Sequence, residues 1–229
     1  MSRETKIDTT GAIAALGRRG FVAGAGAMGL GLLVPPAVAA HPYREPLRFA
    51  VFRDGAPLGE HVVTIRDESG RLTAEIDIRL EYKIGPFTFY RYAHRNIEVW
   101  EDGRLVSLDS ETYDDGRDYR LTVRQDGRDL LVDGAAGRFR CPPETLTSSY
   151  WNRETIHRST ILDTQRGRLL SVDVKPAGQD AVVVDGVPVA ADRFSVSGDL
   201  DLDIWYTSDG RWVKLDFMAR GAPITYQPT

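Results

Sequence analysis

The 229-residue sequence has one cysteine, Cys141, and therefore cannot form an internal disulfide bond. It also lacks His-Glu-x-x-His, paired Cys-x-x-Cys, and a Gly-x-Gly-x-x-Gly placed between a strand and a helix, which are typical of metal and dinucleotide sites. We therefore expect neither a metal nor a cofactor. Cys141 precedes two prolines, and no neighbour in the sequence is suited to lower the pKa of its thiol, so we interpret it as a small buried side chain.

Long apolar segments are scarce as well. The longest, residues 21–34, is rich in Gly and Ala, and its length of about 14 residues is short of the ~20 that cross a bilayer as a helix. It follows Arg18 and Arg19 and precedes the small residues 37–39, which is the pattern of a cleaved export signal over residues 1–39. With an aromatic residue two places after the arginines, it resembles a twin-arginine signal. We expect a periplasmic or secreted protein with no stable membrane span.

Basic residues are in short supply once this signal is removed. The whole chain has 29 basic and 33 acidic residues. Residues 1–39 hold four basic and two acidic ones, so residues 40–229 keep 25 against 31, a net charge of −6. This charge does not favour nucleic acid or an anionic lipid surface as a partner. The remaining length suits a single domain, and the sequence leaves its oligomeric state open.

What the domain does contain is a regular series of turn signals. Asp-Gly suits the positive φ angles of tight hairpin turns. Such pairs, together with one Ser-Gly and one Ala-Gly, predict reversals at 54–55, 69–70, 102–103, 115–116, 126–127, 133–134, 177–178, 185–186 and 209–210. Between them apolar residues recur with a period of two, as in residues 72–84 and in a C-terminal hairpin where Val213, Leu215 and Phe217 share a face.

This pattern predicts about ten to twelve antiparallel strands. A sheet of that size curls or closes because the twist between its strands accumulates. We therefore predict a mostly β protein, built as one large curved antiparallel sheet or incomplete β-barrel. Residues 141–167 are expected to join the two halves of the sheet through a short helix or plug that Pro142 and Pro143 can open. The signal peptide lies outside this fold.

Three segments carry a resemblance to a known family. They are FAVFRDGAPLGEHVVTI near the start of the domain, SSYWN with ILDTQRGRLLSVDV in the middle, and DLDIWYTSDGRWVKLDFMARGAPITY at the end. Together they resemble an uncharacterised bacterial exported family, domain of unknown function 6134, and more distantly domain of unknown function 3108. The resemblance spans most of residues 47–227. It implies an exported antiparallel sheet without an established activity, and it supplies no catalytic residue.

Residues 85–96 are the best candidate for a binding surface. If their strand is continuous, Tyr90, Tyr92 and His94 face the inside of the curved sheet, where an apolar or sugar-like ligand can stack on them. The alternative is that the same aromatic side chains fill the core and the histidine is hydrogen-bonded there. The residues predict a small apolar or amphipathic ligand if the sheet encloses space.

The segment TSSYWNRETIHR, residues 147–158, is interpreted as a connection or plug. Tyr150 and Trp151 offer large apolar area that can cap the open end of a curved sheet. We add both to the predicted ligand-binding set, which is then Tyr90, Tyr92, His94, Tyr150 and Trp151.

An enzymatic alternative uses the same segment. Ser149 can serve as a nucleophile, with His157 as its base and Glu154 or Asp163 as the orienting acid, although no Gly-x-Ser-x-Gly elbow is present. A hydrolase or isomerase acting through His94 or His157 with a carboxylate is therefore the alternative to non-catalytic binding. A structural or assembly subunit is the third hypothesis.

Two other groups are interpreted as inert. Three aspartates share one face of a predicted strand: Asp199, Asp201 and Asp203. Same-face neighbours on a strand lie ~7 Å apart, too far for one calcium ion, so we expect a solvated face that pairs with Arg211 or Lys214. His41 and His61 lie near predicted exposed ends and receive no role.

Overall fold

The computed structural model describes residues 43–229, which form fourteen β-strands and one 3-10 helix. The strands are β1 (Leu47–Arg53), β2 (Ala56–Glu68), β3 (Arg71–Ile84), β4 (Phe87–Glu101), β5 (Arg104–Asp114), β6 (Arg117–Asp126), β7 (Asp129–Gly134), β8 (Gly137–Cys141), β9 (Thr160–Leu162), β10 (Leu169–Val184), β11 (Val187–Gly198), β12 (Leu202–Thr207), β13 (Trp212–Ala219) and β14 (Ala222–Pro228). The 3-10 helix spans Arg153–His157. Within these residues no helix is long and apolar enough to cross a membrane. The predicted export signal and His41 lie outside the described residues.

All fourteen strands belong to one antiparallel sheet. Its spatial order is β8-β7-β6-β5-β4-β3-β2-β1-β14-β13-β12-β11-β10-β9, so the first strand pairs with the last. Val51 of β1 lies opposite Tyr226 of β14. Strands β8 and β9 are the two edges, and they are not hydrogen-bonded to each other. The prediction of a mostly β protein with one large, incompletely closed antiparallel sheet is confirmed, although the sheet has more strands than expected.

Most predicted reversals connect strands as expected. Asp54 and Gly55 have φ angles of 49° and 77°, the two positive values of a type I′ hairpin turn, and the other Asp-Gly turns at 102–103, 115–116 and 185–186 repeat them. An aspartate tolerates this left-handed geometry better than most residues, and glycine carries no Cβ to oppose it.

Two predicted reversals are wrong. Asp133 and Gly134 end β7, and the turn falls at residues 135–136. Gly178 lies inside β10, where the pairing with β11 shifts between Pro176 and Gly178. A glycine with a φ of 108° is compatible with a β-bulge as well as with a turn. Gly178 forms a bulge, because the pairing between β10 and β11 continues on both sides of it.

The inner face of the sheet carries the main hydrophobic core. In β3 the predicted alternation is confirmed, since the buried residues are Ala74, Ile76, Ile78 and Leu80. The C-terminal hairpin is confirmed as β12 and β13. The prediction that Val213 shares a face with Leu215 is wrong. Val213 packs with Trp205 in a second cluster, whereas Leu215 joins the main core. The cause is a register shift between Trp205 and Tyr206, which reverses the alternation of the facing strand.

Residues 142–168, here called the connector, link edge strand β8 to β10 and include the 3-10 helix and β9. The connector is hydrogen-bonded to the opposite half of the sheet. The carbonyl of Arg166 accepts from the Ala136 N–H at 3.1 Å, and the carbonyl of Thr164 accepts from the Ser110 hydroxyl at 2.5 Å. The predicted connecting segment with a short helix is therefore present, and it bridges part of the gap that strand pairing leaves.

Candidate functional site

The inner face of the sheet and the connector line a cavity of about 480 Å³. Small-molecule sites in proteins are typically about 300–1,000 Å³. Much of the wall is apolar and comes from β3, β10, β12 and β13, with Ile76, Ile78, Leu80, Leu170, Leu202, Leu215 and Phe217. The connector adds Ser148, Ser149 and Tyr150. The cavity follows from the fold, because an alternating strand directs every second side chain inward and the curved sheet brings those side chains together.

Strand β4 contributes a row of polar side chains to the inner face. Its successive buried positions are Tyr92, His94, Asn96 and Glu98, while Arg91, Ala93 and Arg95 between them are exposed. The faces predicted from the period of two are confirmed from Tyr90 onward. They do not hold for residues 87–89, which are all exposed, because the pairing of β4 with β3 shifts between Thr88 and Tyr90. Polar groups in four consecutive inward positions are costly unless they are hydrogen-bonded or serve a site.

Four of the five predicted ligand-binding residues line the cavity: Tyr90, Tyr92, His94 and Tyr150. Tyr150 has a φ of 64°, which is uncommon for a bulky residue, and its carbonyl accepts a hydrogen bond from the Tyr206 hydroxyl at 2.7 Å. Trp151 is also buried, but it is not part of the cavity wall, and its indole N–H donates to the carboxyl group of Glu98. The binding role of these residues stays a prediction.

His61 lies in the same wall, and the expectation that it is exposed is wrong. It is 3% exposed and belongs to β2, where it occupies the same row across the sheet as His94 of β4. Its ring packs edge-on against Trp212 and Tyr226, with centroid distances of 5.3 and 5.6 Å. The signal that identifies His61 as buried is its place in the alternation of β2, which it shares with Val63, rather than its nearness to a predicted exposed end.

His61 and Tyr92 carry polar atoms without partners. Neither ring nitrogen of His61, nor the hydroxyl of Tyr92, has a hydrogen-bond partner among residues 43–229. Burial lowers the pKa of His61 to about 3, with His94 acting in the same direction, and burial raises the pKa of Tyr92 well above its ordinary value. Both side chains are therefore uncharged at neutral pH. Together they offer a hydroxyl, one ring N–H and one ring nitrogen acceptor.

The other tyrosines of the wall are uncharged as well. Burial raises the pKa of Tyr90 to about 12, and it also raises the pKa values of Tyr150 and Tyr226. The carboxylate of Asp114 acts in the same direction on Tyr90, and that of Asp163 on Tyr150. The interior is thus a neutral surface of aromatic rings and hydroxyl groups.

Charged side chains gather at the rim. Arg166 lies 3.5 Å from Asp114, and Arg168 lies 3.5 Å from Asp163. These pairs are partly solvated, so their net contribution to stability is small. Asp201, which also belongs to the lining, is exposed. The two arginines are exposed, Asp114 is half-buried and Asp163 is buried, so the rim is charged and the carboxylate of Asp163 reaches into the interior.

The three aspartates predicted to form a solvated face have separate environments. Asp199 accepts a hydrogen bond from the Ser171 N–H at 2.9 Å, and Asp203 accepts one from the Ser195 hydroxyl at 2.5 Å. The expected pairing across the hairpin is wrong, because Lys214 forms its ion pair with Asp216 of its own strand at 2.8 Å.

Glu98 is fully buried, is not part of the cavity lining, and is held by side-chain donors. The Asn96 amide donates to Oε1 at 2.8 Å. The indole N–H groups of Trp100 and Trp151 both donate to Oε2 at 3.0 Å. The Thr147 side chain is a further partner, so that two connector residues meet β4 at this carboxyl group. Burial raises the pKa of Glu98, and its hydrogen bonds oppose that change.

The residues of the proposed triad are not brought together. The Ser149 hydroxyl lies 2.7 Å from that of Thr147, and His157 is exposed at the end of the 3-10 helix. His94 Nδ1 lies 2.7 Å from the Thr112 hydroxyl, and its Nε2 lies 3.5 Å from that of Thr164. Among residues 43–229, the hydrogen-bond partners of His94 are thus threonines and not a carboxylate.

The buried histidines predict a loss of stability in acid. Burial lowers the pKa of His61 to about 3 and of His94 to about 4, so between those values and 6.5 the unfolded chain binds more protons than the folded one. As the pH drops below 6.5, the free energy of unfolding should fall, and each of the two histidines should contribute about 1.4 kcal/mol per pH unit to this fall. Urea unfolding between pH 7 and 4.5 measures this slope.

Replacement of His61 by phenylalanine should remove the contribution of one histidine from the dependence of unfolding free energy on pH. The reason is that phenylalanine cannot be protonated in the unfolded chain. The exposed His157→Gln variant is the matched control and should keep the parent slope. A His61→Phe variant with an unchanged slope would contradict the assignment of His61 as a buried neutral group.

The fold and the cavity define a barrel-like antiparallel β protein with a lined interior. The chain belongs to the family described as Domain of unknown function (DUF6134), whose model matches residues 49–229. The family resemblance drawn from the sequence is thereby confirmed.

A solved structure has a similar fold. It is a beta-barrel-like protein of domain of unknown function DUF1849 from Brucella abortus, with a TM-score of 0.59 and 10% sequence identity, over 80% of this chain and 95% of that one. At this identity the likeness concerns the fold alone, and it is consistent with a distant relation to another domain of unknown function. No curated protein matches the chain significantly.

Proposed function

We propose that this protein is an exported, non-catalytic binding protein that holds a small apolar or amphipathic molecule in the cavity of its curved sheet. The observation that carries the proposal is the cavity of about 480 Å³, whose wall includes two buried residues with unpaired polar atoms, His61 and Tyr92. Unpaired buried polar groups cost about 1–3 kcal/mol each, and a ligand that bonds to them removes this cost. The arginine pair and apolar run of residues 1–39 support export.

The composition of the wall supports an amphipathic ligand. Leucine, isoleucine and phenylalanine side chains provide apolar contact, and tyrosine rings provide flat surfaces for stacking. The one buried carboxylate of the wall, that of Asp163, is paired with the exposed Arg168. The hydrolase alternative through His94 or His157 has less support, because neither histidine is hydrogen-bonded to a carboxylate among the described residues.

A titration with Nile red, an uncharged apolar dye, tests the binding function. Ile78 lies in the cavity wall between His61 and His94, so Ile78→Trp should fill the cavity and weaken dye binding by at least about tenfold. Ile97→Trp is the matched control, because Ile97 lies on the outer face of the sheet, away from the cavity. Circular dichroism and thermal unfolding identify variants that remain folded. Failure of the parent to bind the dye, or equal binding by a folded Ile78→Trp variant, would overturn the proposal.

A further inference from the structure

From the position of His61 and Tyr92 we infer that the ligand enters with an uncharged, oxygen-bearing end first and bonds through that end to these two residues. The ligand class is a neutral amphipathic molecule with a hydroxyl or carbonyl group at its buried end and an apolar body. This inference rests on the proposed function and adds to it the orientation of the ligand and the residues that select it.

The burial of the two residues fixes where the polar end lies. His61 is 3% exposed and Tyr92 is 7% exposed, and both belong to the cavity wall. Among residues 43–229, the two ring nitrogens of His61 and the hydroxyl of Tyr92 have no hydrogen-bond partner. By contrast, the neighbouring His94 and Tyr90 are already bonded, to Thr112 and to Asp114. The buried unpaired donors and acceptors of the wall are therefore those of His61 and Tyr92.

The chemistry of this pair selects a neutral group. A ligand hydroxyl can donate to the unprotonated ring nitrogen of His61 or accept from the Tyr92 hydroxyl, and a carbonyl oxygen can accept from either side chain. Neither residue supplies a charge, and a carboxylate or ammonium buried without an opposite charge carries a large desolvation cost. Asp163 and Asp114 lie near the tyrosine hydroxyl groups and add a negative potential that opposes an anionic head.

The rim is the alternative place for a charged head. Arg166 and Arg168 are already paired with Asp114 and Asp163, so an anionic ligand would have to compete with those carboxylates. The structure therefore favours the head-inward orientation of an uncharged molecule over a head-outward orientation of a fatty acid.

A matched series of ten-carbon ligands tests the inference. Displacement of Nile red by 1-decanol, decanoate and decylammonium at pH 7 compares three heads on one apolar chain. We expect 1-decanol to bind at least about tenfold more tightly than decanoate or decylammonium. Tyr92→Phe should weaken 1-decanol by about threefold to tenfold, because one hydrogen bond is lost, and should leave decanoate unchanged.

The stability of the free variant distinguishes a binding role from a structural one. Since the Tyr92 hydroxyl has no partner, Tyr92→Phe should unfold at the same urea concentration as the parent or at a higher one. His61→Phe is the second variant and should also weaken 1-decanol selectively. Tyr113→Phe, on the outer face of β5, is the control and should change neither property.

Equal binding of the three heads, tightest binding of decanoate, or undiminished 1-decanol binding by Tyr92→Phe and His61→Phe would overturn the inference. If Nile red still binds to the parent and not to Ile78→Trp in those cases, the proposed function survives and only the head-inward assignment fails. If no probe binds to the parent, the proposed function itself fails.

Discussion

Replacement of Glu98 by alanine is expected to destabilise the protein by about 3–5 kcal/mol, which is enough to unfold many domains of this size. The substitution removes the acceptor of two indole N–H groups and of the Asn96 amide, all of them buried. Each donor left without a partner costs about 1–3 kcal/mol. Because Trp151 and Thr147 belong to the connector, we also expect the connector to detach from β4 first. Urea unfolding followed by tryptophan fluorescence measures both effects.

Glu98→Gln is the informative partner of that variant. The Asn96 Oδ1 atom has no hydrogen-bond partner among residues 43–229, so the Asn96 amide can turn over and accept from the new side-chain amide. The remaining oxygen can still accept from both indoles, and the loss should stay below about 1 kcal/mol. Glu101→Ala, which removes only an exposed ion pair with Arg71, should cost about as little. A Glu98→Ala variant as stable as Glu101→Ala would show that the cluster does not hold the connector.

Replacement of Gly59 by alanine is expected to cost about 3 kcal/mol or more. A Cβ atom built on Gly59 would lie 1.9 Å from the carbonyl oxygen of Arg79 and 2.9 Å from the Cα atom of Leu80. Both belong to the backbone of β3, which is held by strand pairing on each side and cannot move away alone. The register of β1 with β2 also shifts beside Gly59, so the close approach is part of a bulge.

Gly116→Ala separates this clash from ordinary backbone strain. Gly116 has a φ of 92° in the turn after β5, and a Cβ atom there would meet nothing within 4 Å. Its substitution should cost only about 1–2 kcal/mol, the price of a left-handed conformation. The two variants are compared by thermal and urea unfolding. Equal losses at the two positions would refute the argument from close approach.

The sequence predicts the fold well where local rules act alone. Residues 72–84 alternate in hydrophobicity and form β3, and Asp54-Gly55 forms a type I′ turn, because both signals lie within a few residues. The errors come from insertions into a strand. The bulge at Gly178 and the register shift beside Tyr206 depend on the partner strand, which a single sequence does not reveal.

The cavity could be predicted only in part. Tyr90, Tyr92 and His94 were placed on the inner face by the period of two, and their positions agree with it. His61 carried the same signal, since it has the parity of the buried Val63 two residues on. Nearness to a predicted exposed end is a weaker indicator of exposure than this position in the alternation.

Glu98 shows a different limit of sequence reasoning. A glutamate at an inward-facing position of a strand interrupts the apolar alternation. The sequence does not explain it, because its hydrogen-bond donors are not apparent there. Two of those donors, Trp151 and Thr147, come from a segment about fifty residues away in sequence. The same distance applies to Trp151, because the sequence offers no sign that its indole donates to this carboxyl group.

Our central proposal is that the chain is exported and carries a small molecule in its cavity, and native mass spectrometry tests it most directly. The protein is purified from the periplasmic fraction of its own cells, measured intact, and then extracted under denaturing conditions. We predict a chain that begins near residue 40 and a discrete additional mass that is released on denaturation and is absent from a folded Ile78→Trp variant. Recovery of the parent from the cytoplasm with residues 1–39 intact, or an apo mass for the periplasmic parent, would contradict the account.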